Sequence, residues 1–562
     1  MEKKLIICST LLIETSPQAL PLGAACVASA IKNDSLTKNK FNVELLAESL
    51  ENISSKNESD VAKYFSNFIL SNKNPKYVCF SVYVWNRIYI EEIAKLIKQK
   101  NPEVIIIAGG PEVTANPFSF ENIDFTVSGA GEKAVPELIN CLENNIKQLP
   151  QGVFAKNQKS EYARAVSPEL AELSSPYLDG TLDVAEYQGA LWELARGCPF
   201  KCSYCYESKG EKCVQYFSEE RIKAELDLFN QKKISQVFVL DPTYNANKQR
   251  ALKILKLIQE KAPGMFFYFE ARAEFIDKEL AQAFTKIPCA LQIGLQSANP
   301  DVLKNVHRSL DKKKFEKNIG YLNQVGAIFG FDLIYGLPGD TISGFKNSID
   351  FALNLYPNNL ETFCLSVLPG TVLFEDAEKF NIEYQKNPPY NVIKTPTYPE
   401  AEIQRSRKIS AACNIFYNQG RAVPWFISVV KFLHIRPVVL LEEFVKWFEM
   451  TNPQKSIVEF SLSCNSHKEV EKLQLQFLKY LFTQKQKGYA VQVIENIILV
   501  NGAISRVEAD SKEQFVKLNY HPDDLLSQYA CDIQFFCKNA RKCNCSVRCF
   551  KNKNGIDWKV IK

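Results

Sequence analysis

The feature that most constrains this chain is a rhythm: short β-rich runs alternate with longer amphipathic stretches, in two successive series. In the first 155 residues the runs KLIICST, FNVELLA, YVCFSVYV, EVIIIAGG and FTVSG are separated by Pro21 to Ile31, Asp60 to Leu70 and Tyr89 to Lys100, with Glu132 to Ile146 closing the series. Parallel strands need a long crossover, and an amphipathic helix supplies one, so this pattern predicts a doubly wound, Rossmann-like α/β domain. Its glycines fall where strands run out, at Gly109-Gly110-Pro111 and at Gly129-Ala130-Gly131-Glu132. Turns at the carboxyl ends of parallel strands are where this architecture holds ligands, although a plain structural turn has the same composition.

Residues 156 to 187, with Ser174-Ser175-Pro176 inside, lack periodicity and read as a linker. The second series occupies 188 to 400. Its strands are predicted in ALWELAR, SQVFVLD, MFFYFEA, ALQIGLQ, IFGFDLIYG and ETFCLSVL, with helices over Ser218 to Asn230, Lys248 to Lys261 and Lys312 to Gln324. Six βα units fit an open, partial (βα)6 barrel, whose sites lie at the carboxyl ends of its strands. From 401 to 562 the pattern changes to a mainly helical domain rich in aromatics, including Ile415 to Phe432 and Val438 to Phe448, then a mixed segment around YAVQVIENIILV and a cysteine cluster. The aromatics at 415 to 450 read as a buried helical core rather than a membrane-contacting face or a hydrophobic substrate cavity.

At 562 residues the chain has material for about three domains. Its 68 basic and 63 acidic residues leave a net charge of +5, too nearly balanced to imply nucleic acid, although a local basic patch is compatible with it. The first residues, MEKKLIICSTLL, lack the apolar length and cleavage site of a signal peptide, and no transmembrane segment is expected. A cytoplasmic location follows as the expectation, and there seventeen cysteines do not form a disulfide framework. Most are scattered through apolar runs. Two clusters remain, at 198 to 213 and at 531 to 549.

In ARGCPFKCSYCYESKG the cysteines Cys198, Cys202 and Cys205 stand at C-x3-C-x2-C directly after the first barrel strand. A structural zinc site wants four protein ligands, and although Cys213 lies eight residues on, no familiar pairing is completed. Three thiolates on a four-iron cluster leave one iron open to a chelating cofactor or substrate. A structural zinc or chance spacing is the competing reading.

This loop on a partial barrel resembles the signature of the radical S-adenosylmethionine (SAM) superfamily, over residues 185 to about 400. The resemblance implies a [4Fe-4S] cluster on Cys198, Cys202 and Cys205, with Tyr204 among the residues at the cofactor. Further matches lie in Gly294-Leu295-Gln296-Ser297, Val306-His307-Arg308 and FDLIYGLPGD. They imply that Gln296 contacts the methionine moiety of SAM, that Arg308 pairs with its carboxylate, and that Asp332 accepts from the ribose hydroxyls. One departure stands out. The second strand ends in LDPTYN, where many members carry a Gly-Gly-Glu element for the SAM amino group; Asp241 and Thr243 are the candidate substitutes.

The order PLGAACVASAI, FSVYVW, AGGPEVT and SGAGEKAVPEL resembles the cobalamin-binding domain fused to a large branch of the same superfamily. The resemblance places Ser81, Val82, Gly109, Gly110, Gly129 and Gly131 against the corrinoid, where a side chain would push the flat macrocycle away. The four histidines are His307, His434, His467 and His521. The first domain therefore has none, lacks the Asp-x-His-x-x-Gly ligand motif, and implies a cobalt whose lower face holds no histidine from that domain.

The function implied is a cobalamin-dependent radical SAM methyltransferase acting on an unactivated carbon through a 5′-deoxyadenosyl radical. A radical cyclase or rearrangement enzyme without methyl transfer, or a SAM-only radical enzyme, is the alternative; a non-catalytic sensor would not need Gln296, Arg308 and Asp332. The expected partners are a small-molecule, lipid or peptide substrate and an electron donor such as flavodoxin or ferredoxin. Cys531, Cys537, Cys543, Cys545 and Cys549, interleaved with Lys and Arg, suggest a second metal site. An auxiliary iron-sulfur cluster, a zinc ion and no metal all remain open there.

Overall fold

The computed structural model describes every residue except 1–2, 57–59, 72–73, 158–160, 208–213, 465, 554 and 562. Cys213 lies outside the described residues. The chain divides into two compact units. The first is Met1–Leu291 with Val306–Arg308 and Ser366–Ile393; the second is Gln292–Asn305, Ser309–Leu365 and Lys394–Lys562.

The first unit opens with β1 (Lys4–Leu12), β2 (Phe41–Ser49), β3 (Tyr77–Ser81), β4 (Ile105–Gly109), β5 (Phe125–Val127) and β6 (Val153–Ala155), in sheet order β2-β1-β3-β4-β5-β6. All neighbours are parallel except β5 and β6. Alternate side chains of a strand point to opposite faces, and here both faces are covered. Ile7 and Leu11 of β1 pack with Phe65, Ile69, Ile90 and Ile93. Ile6 and Cys8 pack with Ala28, Ile31, Leu138 and Ile139. Apolar residues at consecutive positions of β1 are thus what a sheet sandwiched between helices requires, and the doubly wound reading holds. The antiparallel edge strand β6 is an addition that three residues were too short to announce.

The same unit then holds β7 (Gly189–Trp192), β8 (Ala195–Arg196), β9 (Gln215–Tyr216), β10 (Gln236–Val239) and β11 (Phe266–Ala271). β7 and β11 flank β10 in parallel, and β8 pairs with β9 antiparallel. The run ALWELAR, expected as one strand, is broken between Trp192 and Ala195. The cause is Asp241, whose Oδ1 accepts the amides of Leu194 at 3.0 Å and Ala195 at 2.9 Å and draws the backbone out of the ladder.

Strand β12 (Cys289–Gln296) contributes its first three residues to the first unit and the rest to the second. In the second unit β13 (Ile328–Tyr335) and β14 (Asn359–Cys364) pair in parallel, completing six successive βα units of a partial barrel. The carboxyl-terminal region is helical, as expected. The ring of Phe416 lies 5.7 Å from Trp425, 5.0 Å from Phe444 and 5.6 Å from Phe477, so the aromatics at 415 to 450 are core. The segment read as mixed, YAVQVIENIILV, lies mostly in a long helix, Val491–Asp510. It is long and apolar enough to cross a membrane by length and composition, yet Val493, Ile494, Ile497 and Ile498 are buried, and Arg506 on it pairs with the buried Glu471 at 2.7 Å.

After the short strands β15 (Glu383–Tyr384) and β16 (Val392–Lys394), a three-stranded antiparallel sheet not foreseen from sequence closes the chain: β17 (Gln514–Tyr520), β18 (Lys542–Asn552) and β19 (Gly555–Val560). It takes up part of the second cysteine cluster. Cys545 and Cys549 of β18 serve the core, whereas Cys531 and Cys543 are exposed and Cys537 sits on the helix Ile533–Asn539.

Candidate functional site

The loop after β8 begins at Gly197, whose φ of +90° turns the chain at no steric cost to a side chain. Cys202 is buried, and Cys198 and Cys205 are half-buried. The loop is held by backbone rather than by its own side chains: Ser203 N–H donates to Val306 O at 3.2 Å, Leu373 N–H to Ser203 O at 2.8 Å, and Cys205 N–H to Cys202 O at 3.1 Å. Burial pushes the Cys205 thiol up to about 11. A loop carrying three thiols, one buried and two half-buried, fits a metal cluster, because cluster iron takes such sulfurs as thiolates.

Arg308 approaches from the far side of the sequence. Its Nη1 lies 3.8 Å from Cys202 Sγ and 3.3 Å from the hydroxyl of Tyr204, so two residues of the expected cofactor set meet at the cluster loop. Thr243 joins them, its Oγ1 3.9 Å from Cys198 Sγ while it donates to Pro242 O at 2.8 Å. Asp241 is instead committed to the two amides that end β7, and burial raises its carboxyl to about 7. A small cleft at the ends of β7 and β10 is bounded by Gly197, Tyr216, Thr243 and Arg250.

In the second unit Gln296 ends β12 in the left-handed region, φ +65°, and its buried Oε1 has no hydrogen-bond partner among the described residues. A strained backbone that presents an orphaned acceptor fits a ligand N–H, such as the ammonium of an amino-acid moiety. Asp332, on β13, accepts from Gln292 Nε2 at 2.6 Å.

The glycine turns of the first domain are closely packed. Gly110, φ +105°, is so close to Val82 that a Cβ would sit 2.6 Å from its carbonyl oxygen, and Val82 N–H donates to Gly109 O at 2.8 Å. The Ser81 carbonyl accepts from Thr10 Oγ1 at 2.9 Å and from Asn86 Nδ2 at 3.2 Å. Gly129, φ +98°, donates to Thr114 Oγ1 at 2.9 Å and lies against Ala165 of the linker. Gly131 starts the helix Gly131–Glu143, against Val27. These turns gather at the carboxyl ends of β3, β4 and β5, which fits a broad, flat cofactor received on main chain.

Three groups of residues at this site were not singled out from sequence. Glu112, buried behind Gly110, accepts from Arg87 at 3.1 Å and from the hydroxyl of Tyr390 at 2.7 Å. Tyr390 lies on the strap Ser366–Ile393, whose Gly370, φ +80°, packs against both Ala115 and Tyr206. Arg196 binds Glu193 and Glu132. Apart from Arg196 with Glu193, three positions apart, these contacts join residues 25 to 278 positions apart and leave no local pattern, so no periodicity could have found them.

A doubly wound domain followed by a partial barrel with an open three-cysteine loop defines the class: an enzyme scaffold for a corrinoid and a SAM-chelating cluster. Residues 9–139 match the B12 binding domain, and residues 192–352 match the Radical SAM superfamily. The chain thus carries a radical SAM domain preceded by a B12-binding domain, and the cofactors of these two domains are a [4Fe-4S] cluster, SAM and cobalamin. The cobalamin-dependent radical SAM methyltransferase TokK of Streptomyces tokunonensis is 26% identical over 409 residues, covering 64% of this chain and 57% of that protein. An uncharacterized methyltransferase of Pyrococcus horikoshii, PH0819, is 27% identical over 384 residues, covering 64% of this chain and 79% of its own. The chain thus spans less than two thirds of the first of these relatives. Among solved structures, the cobalamin-dependent radical enzyme OxsB has a TM-score of 0.58 at 13% identity, covering 95% of this chain and 84% of its own. The methyltransferase TsrM of Kitasatospora setae has 0.57 at 14%, covering 85% and 100%. At such identities the likeness is one of fold.

Proposed function

We propose that this protein is a cobalamin-dependent radical SAM methyltransferase that modifies an unactivated carbon of a small-molecule, lipid or peptide substrate. The observation that supports it most is the presence, in one compact unit, of both the three-cysteine loop with Arg308 upon it and the main-chain platform of Gly110 and Gly129. When bound, SAM on the cluster supplies one-electron chemistry at carbon, and cobalamin supplies a methyl group.

The chain's own residues bind and orient. Cys198, Cys202 and Cys205 hold the cluster, and Arg308 sets a fixed positive charge beside it, suited to a carboxylate. Gln296 offers a buried acceptor to the SAM methionine moiety, Asp332 an acceptor to its ribose, and Thr243 a hydroxyl at the loop. Ser81, Val82, Gly109, Gly110, Gly129 and Gly131 receive the corrinoid. The electron comes from a small redox protein such as flavodoxin or ferredoxin, and the setting is cytoplasmic.

Anaerobic reconstitution with iron, sulfide and hydroxocobalamin tests this reading. Retained iron, sulfide and corrinoid, together with 5′-deoxyadenosine and S-adenosylhomocysteine from SAM and a reductant, are expected. A chain that holds cluster but no corrinoid would be a SAM-only radical enzyme, and absence of S-adenosylhomocysteine would exclude methyl transfer.

A further inference from the structure

We propose that Arg196 is a positioning residue that sets the separation between the cluster loop and the corrinoid-binding turns; this rests on the reading that both cofactors are bound. Arg196 is the last residue of β8, next to Gly197 and Cys198. Glu132 is the second residue of the helix Gly131–Glu143, next to the turn Gly129 to Gly131. One guanidinium joins the two. Its Nη2 lies 2.8 Å from Glu132 Oε1, while Nε and Nη2 hold Glu193 in a two-pronged pair at 2.8 and 2.9 Å.

Both ends of this bridge are stiff. On the barrel side, Asp241 pins Leu194 and Ala195, and β8 is paired with β9 through Arg196 and Gln215. The guanidinium carbon also lies 5.7 Å from the ring of Phe217. On the other side, a carboxylate in the first turn of a helix is favoured by the exposed N–H groups there. The three side chains are only 23%, 11% and 25% exposed, in the order Arg196, Glu132, Glu193. Partial desolvation makes the pairing geometry count for more than at a wet surface.

The charge pattern makes the bridge directional. One arginine stands between two carboxylates, so its removal leaves two half-buried negative charges facing each other, and removing one partner of such a set costs more than the pair contributes. Loss of Arg196 should therefore drive the two loops apart, loss of Glu132 should free them, and loss of Glu193 should leave the tie between them in place. Lysine at 196 keeps the charge but cannot serve both carboxylates with a fork.

The test uses the full chain carrying reduced cluster and cobalt(II), without substrate. Pulsed electron paramagnetic resonance reads the cluster-to-cobalt distance from the relaxation enhancement of cobalt. Wild type should give one narrow distribution. Arg196→Gln should shift it outward and at least double its width, Glu132→Gln should broaden it less, and Glu193→Gln should leave it near wild type. Circular dichroism checks folding, and the isosteric Glu132→Gln keeps the question open to decision where Arg196→Gln unfolds. Wild-type distributions in both Arg196→Gln and Glu132→Gln overturn the proposal. A wild-type chain without corrinoid would instead refute the functional reading, and the positioning role is then decided by hydrogen-deuterium exchange. In that case Arg196→Gln must raise exchange in 129–136 and 194–198 together, and unchanged exchange there overturns it.

Discussion

The guanidinium of Arg308 stands 3.8 Å from the sulfur of Cys202, across more than a hundred residues of chain, with the Tyr204 hydroxyl 3.3 Å from the same nitrogen. A cation fixed beside this sulfur holds a charged donor ready for an anionic ligand at the three-cysteine loop. Arg308→Ala should weaken SAM binding by about 2–3 kcal/mol, the worth of a charge-assisted pair that is partly desolvated. Isothermal titration with SAM under anaerobic conditions measures it, and an unchanged affinity would place the carboxylate elsewhere.

The three loop cysteines act as a set. Changing Cys198, Cys202 and Cys205 together to Ala should abolish the brown cluster absorbance and all 5′-deoxyadenosine formation. Any deoxyadenosine remaining, measured by mass spectrometry, would contradict the assignment of the cluster to this loop.

Gly110 tests the main-chain platform. An alanine there combines φ +105° with a Cβ 2.6 Å from the Val82 carbonyl, and neither can relax without moving β3 or β4. Gly110→Ala should cost about 1–3 kcal/mol of stability and lower corrinoid retention. Gly180, φ +74° with nothing within 4 Å of its Cβ, is the control, and its alanine variant should show only the backbone cost of about 1–2 kcal/mol.

Residues 1–306 contain no histidine. The cobalt(II) form of the loaded protein should therefore show no superhyperfine splitting from an axial nitrogen of the first domain. Such splitting in its electron paramagnetic resonance spectrum would refute the corrinoid platform as drawn.

His467 carries the pH dependence of the helical region. Burial first, then the charges of Arg421 and Arg506, lower its imidazole to about 4, and Nδ1 lies 3.2 Å from Arg506 Nη1. A folded value below the unfolded one near 6.5 means that the unfolded chain binds the extra proton between pH 6.5 and 4. Stability contributed at neutral pH is thus lost as pH falls through that window, on the order of 2 kcal/mol once solvent screening of the part-exposed ring is discounted. Thermal melts from about pH 7 to 4 should show a smaller loss for His467→Gln than for wild type.

The βα rhythm carried most of the architecture because parallel strands covered on both faces must be apolar at consecutive positions, and Ile6, Ile7 and Cys8 are. What the rhythm missed was decided by single polar side chains or by helical context. Asp241 cut ALWELAR into two strands by capturing two amides, an effect without a signature in the run itself. Ile494, Ile497 and Ile498 suit a strand by composition, yet their spacing of three and four places them on one buried helical face. The three-cysteine loop was legible because Cys198, Cys202 and Cys205 are close in sequence. Glu112 with Tyr390, 278 residues away, was not, since nothing local distinguishes a buried ion-pair partner from a solvated charge.

The strap Ser366–Ile393 and the short return Val306–Arg308 have a consequence for how this protein can be taken apart. The chain changes unit after Leu291, Asn305, Arg308, Leu365 and Ile393. No single cut in the gene therefore releases either unit intact: a fragment ending at Leu291 forfeits Arg308, Tyr390 and Gly370, and one beginning at Gln292 carries them as orphans. A chimera that exchanges the carboxyl-terminal half for a relative's must bring a matching strap with it, so the halves of this polypeptide must be engineered as one piece.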